Sequence, residues 1–420
     1  MKFVHAADLH IDSPLCGLVR YEGAPLGAMR GATRRAFENL IDLCLEESAA
    51  FLLIAGDIYD GNWKDYSTGL FFLSQLSRLR AADIPVVLIR GNHDAASQIT
   101  KHLRLPAHVH ELSVKAPESF EIPNVGVWVH GQGFSTRAVT DDLAAGYPEP
   151  RRGAFNIGLL HTSAGGREGH ENYAPCRLET LVGKGYDYWA LGHVHRREVL
   201  AEAPHVVFPG NLQGRHARET GPKGATLVTV SDGRVASVEH RALDVVRWKI
   251  VEVDVSSAAN GHDVVDLATD GIARALAESG ATTVAARIRI VGCTPAHAAL
   301  CASPEQYANE IRLAATDAAG EGVFVENVLF ATQTTIDLAK IRAQNDAVGE
   351  LARSLQSAKN DGAELRLLAA ELADLKQKLP LELREGEGAL AFDEAHLRAV
   401  LGEVEQLLIP RLLGRGESAR

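Results

Sequence analysis

From Phe3 to His240 the chain repeats one rhythm: a short run of Val, Ile, Leu or Phe, then a polar turn rich in Asp, His, Asn and Gly. The runs Phe3 to Ala6, Phe51 to Ala55, Pro85 to Arg90, Val125 to His130, Phe155 to Leu160 and Tyr186 to Leu191 have the length and composition of buried strands. Helix-length segments, Thr33 to Ala50 and Thr68 to Ala82, separate the early runs, which predicts βαβ units on a central sheet. The later runs, Val206 to Pro209, Ala225 to Val230 and Val235 to His240, lie closer together around turn residues such as Ser231-Asp232-Gly233. They predict antiparallel strands, and so a mixed sheet.

The pattern changes near Val245. Strand (Trp248 to Val255), helix (Val264 to Ser279), strand (Val284 to Val291), helix (Pro304 to Ala318) and strand (Val323 to Phe330) follow one another as in a small α+β domain. In its middle strand Val284, Ala286, Ile288 and Ile290 alternate with Ala285, Arg287 and Arg289, one buried face against one wet face. From Ile336 onward helical spacing takes over. Ile341, Val348, Leu351 and Leu355 form one stripe; Leu365, Leu368, Leu372, Leu375 and Leu379 form a second, stopped by Pro380. Leu397, Val400, Leu401, Val404 and Leu408 form a third that runs up to Pro410. Such helices either pack within their own domain or offer a docking face to a partner coiled coil. Three regions are expected: 1-244, 245-335 and 336-420.

Composition narrows the class. A chain of 420 residues exceeds what one hydrophobic core usually supports. With 46% hydrophobic and 23% charged residues, and no apolar run near the roughly 18 residues of a membrane span, it is expected to be soluble with no membrane partner. The opening Met1-Lys2-Phe3-Val4-His5 lacks the apolar stretch of a signal peptide, so the cytoplasm is the expected compartment. The five cysteines (Cys16, Cys44, Cys176, Cys293, Cys301) are scattered and read as small buried hydrophobes. A net charge of -11 works against a simple nucleic-acid binder, so affinity for DNA would have to be local, from bound cations, a basic partner or pairs such as Arg151-Arg152 and Arg196-Arg197.

Five short segments carry chemistry: Asp8-Leu9-His10, Gly56-Asp57-Ile58-Tyr59-Asp60, Gly91-Asn92-His93-Asp94, His161, and Gly192-His193-Val194-His195. Each begins at the C-terminal end of a predicted buried strand, the sheet edge at which side chains from different strands converge. Asp, Asn and His offer oxygen and imidazole ligands suited to Mn, Fe or Zn, with no thiolate to select a soft metal. Two such ions stabilise the attacking and leaving oxygens of an in-line displacement at phosphorus. Singly, the segments are weak signals: Asp-x-His after a strand is more often a turn with a solvated His, and a lone His161 at a strand end is usually structural. Jointly, five turns would each have to supply the required residue type in one order.

That order, Asp-x-His, Gly-Asp, Gly-Asn-His-Asp, His, Gly-His-x-His, resembles the signature of the calcineurin-like metallophosphoesterases over residues 1 to 215. The resemblance implies a four-layer αββα sandwich followed by a small α+β capping domain and a helical C-terminal region. It implies two divalent ions, most readily Mn: Asp8, His10 and His195 on one, Asn92, His161 and His193 on the other, and Asp57 bridging. His93 would protonate the leaving oxygen or stabilise phosphate charge, with Asp94 to orient it.

Phe3-Val4-His5-Ala6-Ala7-Asp8-Leu9-His10 and Phe208-Pro209-Gly210-Asn211-Leu212-Gln213-Gly214-Arg215-His216 look like the SbcD and YhaO type of DNA repair exonuclease. By that likeness DNA is the substrate and an SMC-like coiled-coil ATPase the partner, with a homodimer left open. Arg215 and His216 would either reach a substrate phosphate or cap their own loop. One departure is Asp60, which stands where double-strand-break nucleases carry a second functional His; an acid there cannot donate to phosphate as imidazolium does. Two other readings stay in view: a phosphodiesterase or phosphatase acting on small nucleotides or phosphoproteins, and a non-catalytic interaction module with a structural metal site.

Overall fold

The structure, a computed structural model, describes residues 1–13, 31–60, 66–96, 103–164, 173–280, 283–378 and 392–417. It divides into two compact units, Met1–Lys249 with Glu278–Ala285, and Ile250–Ala277 with Ala286–Arg420. Among the described residues no helix is long and apolar enough to cross a membrane.

The first unit holds two six-stranded sheets. One is built from β1 (Lys2–Ala6), β2 (Leu52–Ala55), β3 (Val86–Ile89) and β4 (Val109–Glu111) in parallel, extended on the β1 side by antiparallel β11 (Gly224–Ser231) and β12 (Arg234–Ala242). The other has β6 (Val127–Gly131), β7 (Phe155–His161), β8 (Tyr188–Gly192) and β10 (His205–Phe208) in parallel. Its edges are antiparallel β5 (Glu118–Ile122) and β9 (Glu198–Glu202).

The central strands are apolar on both faces because each face meets a different core. In β2, Leu52 and Ile54 join the core formed with helices α1 (Ala32–Glu46) and α2 (Ser67–Ala81), among Phe37, Leu40, Ile41, Phe72 and Leu76. Leu53 and Ala55 turn instead to the core between the sheets, with Phe3, Val87, Ile157 and Tyr188. In β8 the same alternation sends Tyr188 and Ala190 between the sheets, and Trp189 and Leu191 to a third core with Leu181 of α4 (Leu178–Gly183), α3 being the short helix Asn92–Ala96 after β3. Trp189 lies so close over β7 that a Cβ at Gly158 would collide with its ring. Helix, sheet, sheet, helix is thus the layer order, the four-layer sandwich expected.

The second unit holds most of a three-stranded sheet in the order β13 (Val246–Asp254), β14 (Thr283–Cys293), β15 (Val323–Gln333), with most of α5 (Gly261–Ser279), and α6 (His297–Ala302) and α7 (Pro304–Ala319). The C-terminal region is more broken than its three stripes suggest. It comprises α8 (Leu338–Arg342), α9 (Ala347–Asn360), α10 (Gly362–Glu371), α11 (Ala373–Lys378) and α12 (Glu394–Glu417). Asp337, Asp346 and Asp361 cap α8, α9 and α10 by accepting hydrogen bonds from first-turn N–H groups. Leu379 and Pro380 lie outside the described residues.

Pro410 does not end the last helix but sits inside it. Proline lacks the N–H that would satisfy the carbonyl four residues back, and here that carbonyl, Gln406 O, accepts a hydrogen bond from His297 Nε2 at 3.0 Å. Thr332 Oγ1 stands 2.9 Å from His297 Nδ1, and Gln406 Oε1 accepts from Thr334 N, so the prolyl gap is a stitch between α12, α6 and β15. Cys44 and Cys176 are buried as expected, whereas Cys293 is exposed and Cys301 half-buried. Cys16 lies outside the described residues.

Candidate metal centre

The residues of the motif order meet where β1, β2, β3, β7 and β8 end. The loops leaving β1 and β2 run side by side, with Asp8 N on Gly56 O and His10 N on Asp57 O, both 3.0 Å. Asp8, His10, Asp57 and His193 all adopt positive φ (52°, 41°, 53° and 101°), a backbone region that costs non-glycine residues about 1–3 kcal/mol each. Four such residues at one edge mark a site where side-chain direction outweighs backbone comfort. Glycine is required where the loops touch. A Cβ at Gly56, whose φ is 90°, would stand 2.5 Å from His161 Nδ1, and one at Gly91 would collide with Asp57 Oδ1.

Three groups of ligand-type atoms result, each with its atoms within 4.8 Å of one another: Asp8, His10 and His195; Asp57, His161 and His193; His10, Asp60 and His93. Asn92 joins the second group, its Oδ1 2.9 Å from His161 Nε2. Asp57 lies between the first two, with Oδ2 3.4 Å from His161 Nε2 and 3.9 Å from His10 Nε2. Burial opposes ionisation of Asp57, but the imidazoles of His161, His10 and His93 outweigh it and hold the carboxyl below the usual range.

The donor set fits divalent cations. His161 Nδ1 donates to Ala55 O at 2.8 Å, which turns Nε2 to the Asn92 carbonyl oxygen and to Asp57; burial opposes its charge, but Asp57 and Asp8 raise its pKa to about 9, so a proton at Nε2 occupies the position a metal would take. His195 Nδ1 donates to Glu219 Oε1 at 2.6 Å, and its Nε2 faces His10 Nε2 at 3.2 Å. Ring nitrogens turned in this way onto one another and onto an amide oxygen, beside the buried carboxylates of Asp8 and Asp57, are the donor set that divalent cations would take in place of those protons.

His93 stands beside His10, ring centroids 4.9 Å apart. The orienting contact expected of Asp94 is made by Asp60, whose Oδ1 is 2.7 Å from His93 Nδ1. Asp94 turns its oxygens to the backbone N–H groups of Ile58, Tyr59 and Gly91, at 2.9, 3.1 and 3.0 Å, and so ties the β2 loop to the β3 loop. Burial disfavours a protonated His93, but the Asp60 hydrogen bond and the charges of Asp57 and Asp60 outweigh it, and its pKa lies above the ordinary value.

Arg215 reaches the same place, with Nη1 3.0 Å from Asp60 Oδ2 and Nη2 3.3 Å from His195 Nδ1. His216 does less: its Nδ1 accepts from Arg218 N at 3.2 Å and its Nε2 lies 3.5 Å from Glu219, which is the loop-capping alternative. Glu219 was missed in the sequence, where its one signal is a Glu four residues after Arg215.

Comparison with known proteins places these features in a family. Residues 1–197 match the family model described as calcineurin-like phosphoesterase, and residues 248–333 match that of the metallophosphoesterase YhaO middle domain. The uncharacterized metallophosphoesterase YhaO of Bacillus subtilis is 36% identical over 299 residues, 70% of this chain and 72% of that protein. The DNA double-strand break repair protein Mre11 of Sulfurisphaera tokodaii is 24% identical over 53% of this chain and 59% of its own length. The SbcD component of the nuclease SbcCD of Rhodobacter capsulatus is 33% identical over 24% of this chain and 23% of its own. With two family models matched in sequence order and one relative aligned over most of both chains, this chain belongs to the calcineurin-like metallophosphoesterases, in the group of YhaO.

Proposed function

We propose that the chain is a two-metal phosphodiesterase that acts as an exonuclease on DNA. The observation that carries the reading is the position of Asp57, one buried carboxylate between two clusters of ligand-type side chains. Asp8, His10 and His195 would hold one ion, Asn92, His161 and His193 the other, and Asp57 both, with Mn the expected metal. When bound, such a pair supplies an activated water and charge stabilisation at phosphorus.

The protein's own part in the chemistry lies at His93. With Nδ1 fixed on Asp60, the ring has Nε2–H left to give to the departing oxygen, and the raised pKa keeps that proton available near neutrality. Arg215, resting on the far oxygen of Asp60, would hold a non-bridging phosphate oxygen by its guanidinium. Asp60 thus brings a cation where the resemblance led one to expect a second His.

DNA as substrate is supported by the names of the Mre11 and SbcCD relatives. Residues 245–335 would then serve as a capping domain, and 336–420 as the docking region for an SMC-like ATPase, with Leu367 and Leu375 exposed on α10 and α11. The second reading, a small-nucleotide phosphodiesterase, is favoured by the net charge of -11. One experiment separates them: the protein with Mn on end-labelled DNA beside bis-p-nitrophenyl phosphate and cyclic nucleotides, with Asp57→Asn as control. Cleavage of DNA by the parent and of nothing by Asp57→Asn is expected. Turnover of small esters alone, even with the partner ATPase, would establish the second reading, and an Asp57→Asn protein as fast as the parent would remove the metal centre from the mechanism.

A further inference from the structure

The loop between β10 and β11 lies beyond residues 1–197, the span of the phosphoesterase family model. It nonetheless grips a candidate ligand at two points. Glu219, 7% exposed, places Oε1 2.6 Å from His195 Nδ1, and Lys223, 6% exposed, donates from Nζ to the His195 backbone carbonyl at 2.6 Å. The second oxygen of Glu219 faces the loop itself, accepting from Asn211 Nδ2 at 2.9 Å and from Arg215 N at 2.6 Å. Asn211 Nδ2 also donates to Gln213 O, and Trp248 Nε1 to Gly214 O, so the loop is stitched on both sides of the arginine.

We propose that Glu219 and Lys223 are positioning residues. Together they fix His195 as a metal ligand, and through Glu219 they join the holding of one ion to the presentation of Arg215. The inference rests on the two-metal reading above. Its physical basis is the imidazole tautomer: a carboxylate on Nδ1 requires the proton there, which leaves Nε2 with the lone pair a metal needs. The opposite tautomer would set a nitrogen lone pair against a buried carboxylate, and the ring could then neither satisfy Glu219 nor ligate. Lys223 acts on the main chain, limiting the freedom of the β8 loop from which the ring projects. Because the carboxylate that sets the tautomer also holds the amide of Arg215, a change that loosens the ion should also loosen the phosphate contact. A turn-capping role alone, by contrast, would affect stability and leave metal binding untouched.

The test is titration of the full-length metal-free protein with Mn2+ by calorimetry, parent against Glu219→Gln, which keeps an acceptor oxygen for the loop but removes the charge that fixes the tautomer. The expected result is a loss of roughly 10–100-fold in affinity for one ion, with the other within about twofold. For bis-p-nitrophenyl phosphate the same variant should show a raised KM with kcat largely restored at saturating Mn2+. His161→Ala, in the other cluster, should weaken the opposite ion. Should Glu219→Gln melt before titration, Lys223→Met decides the matter, since it leaves every ligand in place and must weaken the same ion as a His195→Ala control. Unchanged binding of both ions in these variants, or equal weakening of both, overturns the proposal while the two-metal reading stands. A parent that binds fewer than two ions overturns that reading and the inference with it.

Discussion

The strand-end site of the first unit and the helical region of the second are both assembled from residues far apart in sequence, yet they tolerate change differently. At the site each position needs a particular atom in a particular direction: a lone pair at His161 Nε2, an anion at Asp57, a backbone without Cβ at Gly56 and Gly91. In the helices Ile341, Leu365 and Leu397 are buried, but what the packing requires there is apolar volume at helical spacing, which several residue types supply. Chemistry therefore leaves its mark in residue identity, whereas packing leaves it only in period.

The difference predicts which substitutions act on rate and which on stability. His93→Ala should lower kcat by about 10²–10⁴-fold, the usual worth of a positioned proton donor, while two ions remain bound. Asp60→Asn should do less, because the ring is kept but its orientation and charge partner are weakened. A metal count that falls along with the rate would place His93 among the ligands instead. In either variant the thermal midpoint should move little, since His93 and Asp60 are both part-exposed.

What could be read from the chain follows the same division. The segments Asp8-Leu9-His10, Asp57, Asn92-His93, His161 and His193-Val194-His195 converge at strand ends as their order suggested, because strands buried on both faces announce themselves as apolar runs. β4, β5 and β9 escaped notice. Val109–Glu111, Glu118–Ile122 and Glu198–Glu202 are short edge strands with polar residues and no such run. Periodicity also could not divide the runs between two sheets, since Leu52 and Leu53 are equally apolar although they face different cores. The pairing of His93 with Asp60 rather than Asp94 turns on backbone direction after β3, where Asp94 is drawn to three N–H groups. Pro410 reads as a stop by its own chemistry, yet the helix continues through it, and His297, more than a hundred residues earlier, meets the carbonyl it leaves open.

That last contact gives the counterpart of the His93 experiment. His297→Ala removes the donor to Gln406 O, a part-buried acceptor, and empties the buried space of the ring, with a cost of about 1 kcal/mol for the hydrogen bond. The loss should appear as a lower midpoint for the second unit in a denaturant titration, with hydrolysis of small esters within about twofold of the parent. Equal loss of activity would mean that the two regions are not separable as argued.

The mildest test concerns a histidine of the first unit that takes no part in the chemistry. His5 is fully buried, with Tyr188 Oη at 3.0 Å from Nδ1 and Nε2 donating to Leu191 O at 3.1 Å, and burial lowers its pKa from 6.5 to about 3. The unfolded chain therefore binds a proton near pH 6.5 that the folded chain refuses until about pH 3. The unfolded state binds more protons throughout that window, so stability must fall as the pH drops through it, by up to about 1.4 kcal/mol per pH unit from this group. His5→Gln keeps a donor and an acceptor without the titration, so its acid limb should be shallower than the parent's between pH 6 and pH 4 even if it is less stable at pH 7. Parallel limbs for parent and variant would show that the acid sensitivity of this unit arises elsewhere than at the buried His5.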